Sequence, residues 1–216
     1  LATKYNILIT AGPTWVPIDK VRVISNRGSG KTGSMLAEKL IKKGAKVTLL
    51  LGPGENMAPD KPGIKIIRFR YFSELDTALK NELKKQKYSA IVHSASVSDY
   101  APAGKILHKV SSRLSSWKIN LIPTKKLIGG LRTLSAHSFI VGFKFEPDLS
   151  ARPLVEKGRE LLKRCRLNLV VANSDKGNKY RAYILGDNVK NGPFADKHKM
   201  TDRLSAMLID ALRKTE

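Results

Sequence analysis

The residues of this chain best suited to binding phosphates or carboxylates sit beside glycine-rich turns. Residues 24–33, ISNRGSGKTG, lead small flexible residues straight into an amphipathic pattern. Free amides and the dipole at such a helix start favour an anion, which marks Ser29 and Gly30 as candidate cradle residues. This is not a Walker A sequence, because the position that must be the leading glycine is Ser25 and no strand directly precedes the segment. Upstream, AGPT at 11–14 offers Gly12 for close backbone approach and Pro13 to fix the turn, or simply an ordinary glycine turn. At 93–102, HSASVSDYAP, the small side chains of Ala95 and Ser96 leave room for a ligand. Asp99 there either accepts hydrogen bonds from a base or ribose or serves as a turn residue. Lys105, His108 and Lys109 stand before Val110, Ser111 and Ser112, an arrangement fitted to offsetting phosphate charge that changes during a reaction. His93, His108, His137 and His198 lack metal-ligand spacing, and Cys165 alone cannot complete a zinc site, so no protein-bound metal is expected.

These groups need a scaffold, and the hydrophobic pattern supplies one. Short β-branched or aliphatic runs at 6–10, 46–51, 64–69, 89–93, 139–143 and 169–173 read as buried strands. Helical spacing falls between them at 33–43, 72–87, 125–134 and 153–164. The alternation predicts an α/β, Rossmann-like three-layer fold with a mainly parallel sheet. A C-terminal hairpin is expected from 180–186 and 193–197 around Asp187 and Asn188, then a closing helix over 202–213 capped by Asp202 or Thr201. The stretch 101–116, polar, basic and bracketed by Pro and Gly, reads as a long functional loop.

With 216 residues and no dividing linker, one domain over 1–216 is expected. A single cysteine excludes an intrachain disulfide and fits a reducing compartment. No apolar run approaches the ~20 residues of a membrane span and no secretory pattern opens the chain, so a cytoplasmic setting is expected. Forty Lys and Arg against eighteen Asp and Glu give a net charge of +22, a field that steers anions or merely a solvated cationic face. It also raises an alternative, a basic nucleic-acid-binding module on a Rossmann-like scaffold. That reading needs exposed aromatics among the basic residues, whereas aromatics are 6% of the chain and fall mostly in strand patterns. A nicotinamide site is disfavoured, since the first turn, AGPTWV, lacks the spaced glycine fingerprint.

Taken in order, AGPTWVPIDKVRVISNRGSGKTG, SVSDYAP, HKVSS, PTKKLI, VGFKFE and LVVAN resemble the phosphopantothenoylcysteine synthetase family over nearly the whole chain. The resemblance implies a dimeric ligase that joins 4'-phosphopantothenate to L-cysteine through an acyl-nucleotide, in coenzyme A biosynthesis. It implies CTP, with ATP as the alternative, and Mg²⁺ accompanying the nucleotide. Many bacterial members are fused to a flavin-dependent decarboxylase; a chain of this length starting at the ligase motif is expected to carry no FMN.

By the same resemblance Asn26 contacts the acyl carbonyl and Arg22 lies near the phosphopantothenate, with Ala95 and Ser96 beside it. Asp99 corresponds to a nucleotide-contacting acid and Lys109 to the first lysine of a basic loop motif, with Lys105 as a poorer alignment. The segment Thr124, Lys125, Lys126 and Leu127 lies against the base, Phe143 next to the nucleotide, and Gly12, Ser29 and Gly30 on the nucleotide side. Lys163 and Arg164 stand for lysines that approach the triphosphate. Glu160 occupies the other such position, which leaves Lys157 or Arg159 to compensate.

Overall fold

The computed structural model describes residues 5–54, 62–104, 106–177 and 179–214. The aliphatic run of β1, Asn6–Ala11, forms the centre of the main sheet. A small hairpin follows, β2 at Trp15–Pro17 and β3 at Val23–Ser25, then α1 at Lys31–Lys42, β4 at Lys46–Leu51, β5 at Ile64–Arg68 and α2 at Phe72–Lys85. The second half runs through β6 (Ala90–His93), β7 (Tyr100–Pro102), β8 (Leu121–Pro123), α3 (Leu127–Leu134), β9 (Phe139–Phe145) and α4 (Ala151–Arg164). It closes with β10 (Leu169–Lys176), β11 (Lys179–Leu185), β12 (Lys190–Phe194) and α5 (Lys197–Arg213).

The main sheet has the order β12-β11-β10-β9-β6-β1-β4-β5. Its strands from β10 to β5 are parallel, and β11 and β12 extend it antiparallel as the C-terminal hairpin. The chain proceeds from β1 outwards through β4 and β5, then returns to the other side of β1 to lay down β6, β9 and β10. Strand order therefore reverses between β1 and β6, and in such sheets the crevice at the carboxyl ends of those two strands is where ligands bind.

Both faces are covered, which is why the strands read as continuous apolar runs. Ile7, Ile9 and Ala11 face α1 and α5 through Leu36, Leu40, Met200, Leu204 and Leu208. Leu8, Leu50, Ile91 and Ile140 face α2, α3 and α4 through Leu75, Leu79, Leu131 and Leu161. Each fully buried Leu or Ile contributes about 1.5–3 kcal/mol relative to exposure.

The structure moves several expected boundaries. The closing helix starts at Lys197, not at 202, because Asp196 caps it by accepting the Lys199 amide at 2.8 Å. Thr201 Oγ1 instead donates back to Lys197 O at 2.7 Å inside the helix. The hairpin turns through Gly186 and Val189 and its second strand is Lys190–Phe194, earlier than the expected 193–197. Helix α3 begins at Leu127, which leaves Thr124, Lys125 and Lys126 as backbone free of the helix. The stretch 101–116 is not wholly loop: Tyr100–Pro102 pairs antiparallel with Leu121–Pro123, making an arm that carries the intervening residues.

Candidate active site

The crevice floor is built where β1 and β6 run on past their ends. Pro13 bridges to Ser96, Ser96 N–H donates to Gly12 O at 2.9 Å, Thr14 N–H to Ser96 O at 3.3 Å and Ser98 N–H to Thr14 Oγ1 at 2.9 Å. The turn after β1 touches two neighbours backbone to backbone. Gly12, at φ +81°, leaves room for a Cβ only 3.1 Å from the Gly52 backbone, and a Cβ on Gly30, at φ +76°, would lie 3.3 Å from Gly12 N. Only glycine combines the left-handed backbone with such contacts. Gly30 is also the cap of α1, so the anion-favouring start of that helix is held against the β1 turn. Ser29 stands at the same place, its Oγ 3.4 Å from the Lys31 amide.

Beneath the floor Thr10 Oγ1 lies 2.9 Å from His93 Nδ1 and accepts the Ala95 amide at 3.2 Å. Burial pushes the His93 imidazole down to about 4, so it is neutral at physiological pH. Ala95 and Ser96 meet the floor through backbone groups; the Ala95 side chain packs against the core under α2 and α3, and the Ser96 side chain lies against Gly28.

Asn26, just past β3, turns its amide over this floor. Its Nδ2 donates to Val97 O at 3.1 Å and reaches Ser96 O at 3.5 Å. Arg22, near the start of β3, is held by Asp19: Nη1 donates to Asp19 Oδ2 at 2.7 Å. The same guanidinium donates to Val110 O at 3.3 Å from both Nη1 and Nη2 and lies 5.4 Å from the centre of the Trp117 ring. Asp19 further accepts the amides of Val21, Arg22 and Val110 at 2.8, 2.7 and 3.1 Å. Burial alone would raise this carboxyl, but the three amides and the Arg22 charge outweigh it and hold the group below the usual aspartate value. Lys109, exposed, is thus carried on a backbone pinned to the β2–β3 hairpin.

On the other side of the crevice Asp99 pairs with Lys126. Thr124 N–H donates to Asp99 O at 2.9 Å and Thr124 Oγ1 to Ser98 O at 2.6 Å. The structure therefore unites the sequence-predicted Asp99 with the 124–127 segment, in which Lys125 is exposed and Leu127 is buried as the first residue of α3. Phe143 is half-buried on β9, on the next strand of the same edge. Beyond it Lys144 and Lys157 both bind Glu146, at 2.7 and 2.9 Å, which places Lys157 on the ligand edge of the sheet. The Lys144 bond, with further help from Lys157, outweighs burial and holds the Glu146 carboxyl below its usual value.

Lys163 and Arg164 do not join this cluster within the chain. They end α4, which runs back across the sheet to the amino edge, where Asn168 N–H meets Ile140 O at 2.9 Å. Lys105 lies outside the described residues. Sequence reasoning missed Asp19 and Trp117 as parts of the site. The signal for Asp19 was local: an Asp whose side chain takes the amides two and three residues on is a recognisable turn former. For Trp117 no spacing signal exists, since its contact with Arg22 spans the arm.

A family model described as the DNA/pantothenate metabolism flavoprotein C-terminal domain matches residues 2–211. The coenzyme A biosynthesis bifunctional protein CoaBC of Thermococcus kodakarensis is 34% identical over 202 residues, covering 92% of this chain and 49% of that protein. The chain thus spans about half the length of the curated relatives it matches. Among solved structures, the DNA/pantothenate metabolism flavoprotein from Streptococcus pneumoniae superposes with a TM-score of 0.85 at 23% identity, covering 99% of this chain and 100% of that one. A Cab2 variant in complex with phosphopantothenate-cysteine superposes with a TM-score of 0.79 at 20% identity, covering 97% and 87%. At these identities the two structures show a shared fold.

Proposed function

The chain belongs to the DNA/pantothenate metabolism flavoprotein C-terminal domain family, and we propose that it acts, as one domain across 1–216, as a phosphopantothenate–cysteine ligase. The observation that supports this best is Asn26 held over the Ser96–Val97 backbone that follows β6, with the Asp99–Lys126 pair just beyond it and the Lys109 segment pinned to the hairpin that leads into Asn26. The T. kodakarensis relative is named for coenzyme A biosynthesis, and the Cab2 variant is a complex with phosphopantothenate-cysteine.

The chemistry has two steps. The phosphopantothenate carboxylate attacks the α-phosphorus of a nucleoside triphosphate, CTP or ATP, forming an acyl-nucleotide and expelling pyrophosphate. The cysteine amine then attacks the acyl carbon, the amide forms and nucleoside monophosphate leaves. Lys109 offsets the charge that gathers at phosphorus in the first step. Mg²⁺ accompanying the nucleotide would supply further charge neutralisation. Thr124 to Leu127 and Asp99 hold base and ribose, with Phe143 beside them and the Gly12, Ser29 and Gly30 turn towards the phosphates. Lys157 stands on the edge where a triphosphate lysine is needed. Asn26 donates to the acyl carbonyl while cysteine attacks, and Arg22, Ala95 and Ser96 face the phosphopantothenate. Positioning carries most of the rate.

A homodimer fits the surface: Val21 and Val23 on the hairpin and Tyr100, Leu121 and Ile122 on the arm are exposed apolar residues on adjoining elements. Light scattering at twice the chain mass is the expected result, and a monomer refutes it.

The deciding assay is pyrophosphate release with phosphopantothenate, cysteine and each nucleotide in turn. Release is expected with CTP or ATP; none with any nucleotide overturns the reading. Asn26→Asp should accumulate acyl-nucleotide while amide formation slows, and Lys109→Ala should sharply reduce pyrophosphate release. Wild-type amide formation in the first variant, or wild-type pyrophosphate release in the second, removes that residue from its role.

A further inference from the structure

Asp19 takes no part in either chemical step, yet its side chain is wholly withdrawn from solvent and gathers four hydrogen bonds. Three come from its own hairpin. The fourth comes from the Val110 amide, 91 residues further along the chain. The bonds divide by oxygen: Oδ1 takes the Val21 and Arg22 amides and shapes the turn, whereas Oδ2 takes the Val110 amide and Arg22 Nη1. Arg22 closes the contact from the other side by donating to Val110 O, with the Trp117 ring beyond it.

We propose that Asp19 is a positioning residue for Lys109: through Oδ2 and Val110 it clamps the arm segment that carries this lysine to the hairpin that carries Arg22 and Asn26. The inference rests on the ligase reading, because it assigns Lys109 to the first step. Lys109 itself is exposed and extends from backbone whose neighbour is fixed by charge-assisted bonds, which are stronger than neutral ones. Releasing the clamp leaves the lysine present and charged but no longer held where phosphorus reacts. Misplacement by about 1 Å costs on the order of 100-fold in rate.

The division between the two oxygens defines the experiment. Asp19→Asn can keep a carbonyl oxygen for the turn amides while its NH2 meets the Val110 and Arg22 donors, so the turn stays and the clamp opens. Amide exchange at Val110 should quicken at least tenfold while exchange in β1 and β6 stays as in the wild type. Pyrophosphate release should fall about 10- to 100-fold in kcat. In a Lys109→Ala background the same substitution should have no further effect on kcat, since its effect passes through that lysine. Unchanged exchange at Val110 overturns the clamp. A loss of rate that persists in full in the Lys109→Ala background overturns its action through Lys109. If the wild type releases no pyrophosphate with any nucleotide tried, the ligase reading and the assignment to Lys109 fail, whereas the Val110 exchange still decides the clamp.

Discussion

Gly33→Ala tests whether the start of α1 is held against β1 closely enough to set the geometry of the crevice. Gly33 lies in the first turn of α1, and a Cβ added there would sit 2.4 Å from Ala11 Cβ and 2.9 Å from Ser94 Oγ. Ala11 has no torsion with which to move aside, so α1 must retreat from β1 by about 1 Å to regain the ordinary contact distance of about 3.4 Å. Two effects oppose each other. Ala gains up to about 1 kcal/mol over Gly by helix propensity, less in a first turn, while overpacking a tight core costs about 1–3 kcal/mol. Overpacking wins, and for a domain of this size the net loss corresponds to a fall in Tm of roughly 2–10 °C. The same retreat carries Gly30 away from Gly12 and opens the anion-favouring end of the helix, which should lower kcat/KM for the nucleotide by about 10- to 100-fold. Gly129→Ala in α3 is the control, because a Cβ there meets nothing within 4 Å and should stabilise by roughly 0.5–1 kcal/mol. Thermal melts and initial-rate kinetics of both variants decide the matter. A Gly33→Ala enzyme that melts within 1 °C of the wild type, or that melts lower but keeps its kcat/KM, refutes the link between this contact and the site.

Three further outcomes follow from polar groups that the fold holds in place. A base whose folded value lies below its unfolded one binds fewer protons when folded, so acid favours unfolding; for His93, lowered from 6.5 to about 4, the contribution is complete above about pH 6.5 and lost as pH falls towards 4. The difference is worth about 3 kcal/mol, and His93→Gln should flatten the stability profile in that window; an unchanged slope in urea melts would rule this out. Tyr88 is raised to about 12, first by burial and then by its bond to Glu82, so tyrosinate absorbance from this residue should be absent until strongly alkaline pH. Tyr88→Phe, which removes the 2.6 Å bond to Glu82 Oε2, should cost about 1–3 kcal/mol, and a chemical melt within 0.5 kcal/mol of the wild type would refute it. Asp196→Ala removes the α5 cap and should cost about 0.5–2 kcal/mol; placing the cap at Thr201 or Asp202 instead predicts no change.

The parallel core was legible because β1, β4, β6 and β9 are buried on both faces, and that condition writes itself as uninterrupted aliphatic runs. The start of α5 was not: KHKM shows one apolar residue in four, and only the packing reveals that Met200 is fully buried while Asp196 caps. The site divides in the same way. Asn26, Arg22 and Asp99 stand in local motifs whose spacing survives in sequence; the structure sets Asn26 over Ser96 and Val97, two to three residues before Asp99, and places Arg22 at the turn of the hairpin that carries Asn26. Lys163 and Arg164 read as equally plausible contacts in sequence, yet a helix of 14 residues is about 20 Å long and carries its last turn to the opposite edge of the sheet. Lys157, two turns earlier, stays on the ligand edge through Glu146. The deepest omission was Asp19, since pairing with Val110 across 91 residues is a property of how the arm folds over the hairpin, and no periodicity records it. That pairing fixes the backbone beside Lys109 from outside its polar, basic stretch, through the amide of the residue that follows, while the lysine side chain itself stays exposed.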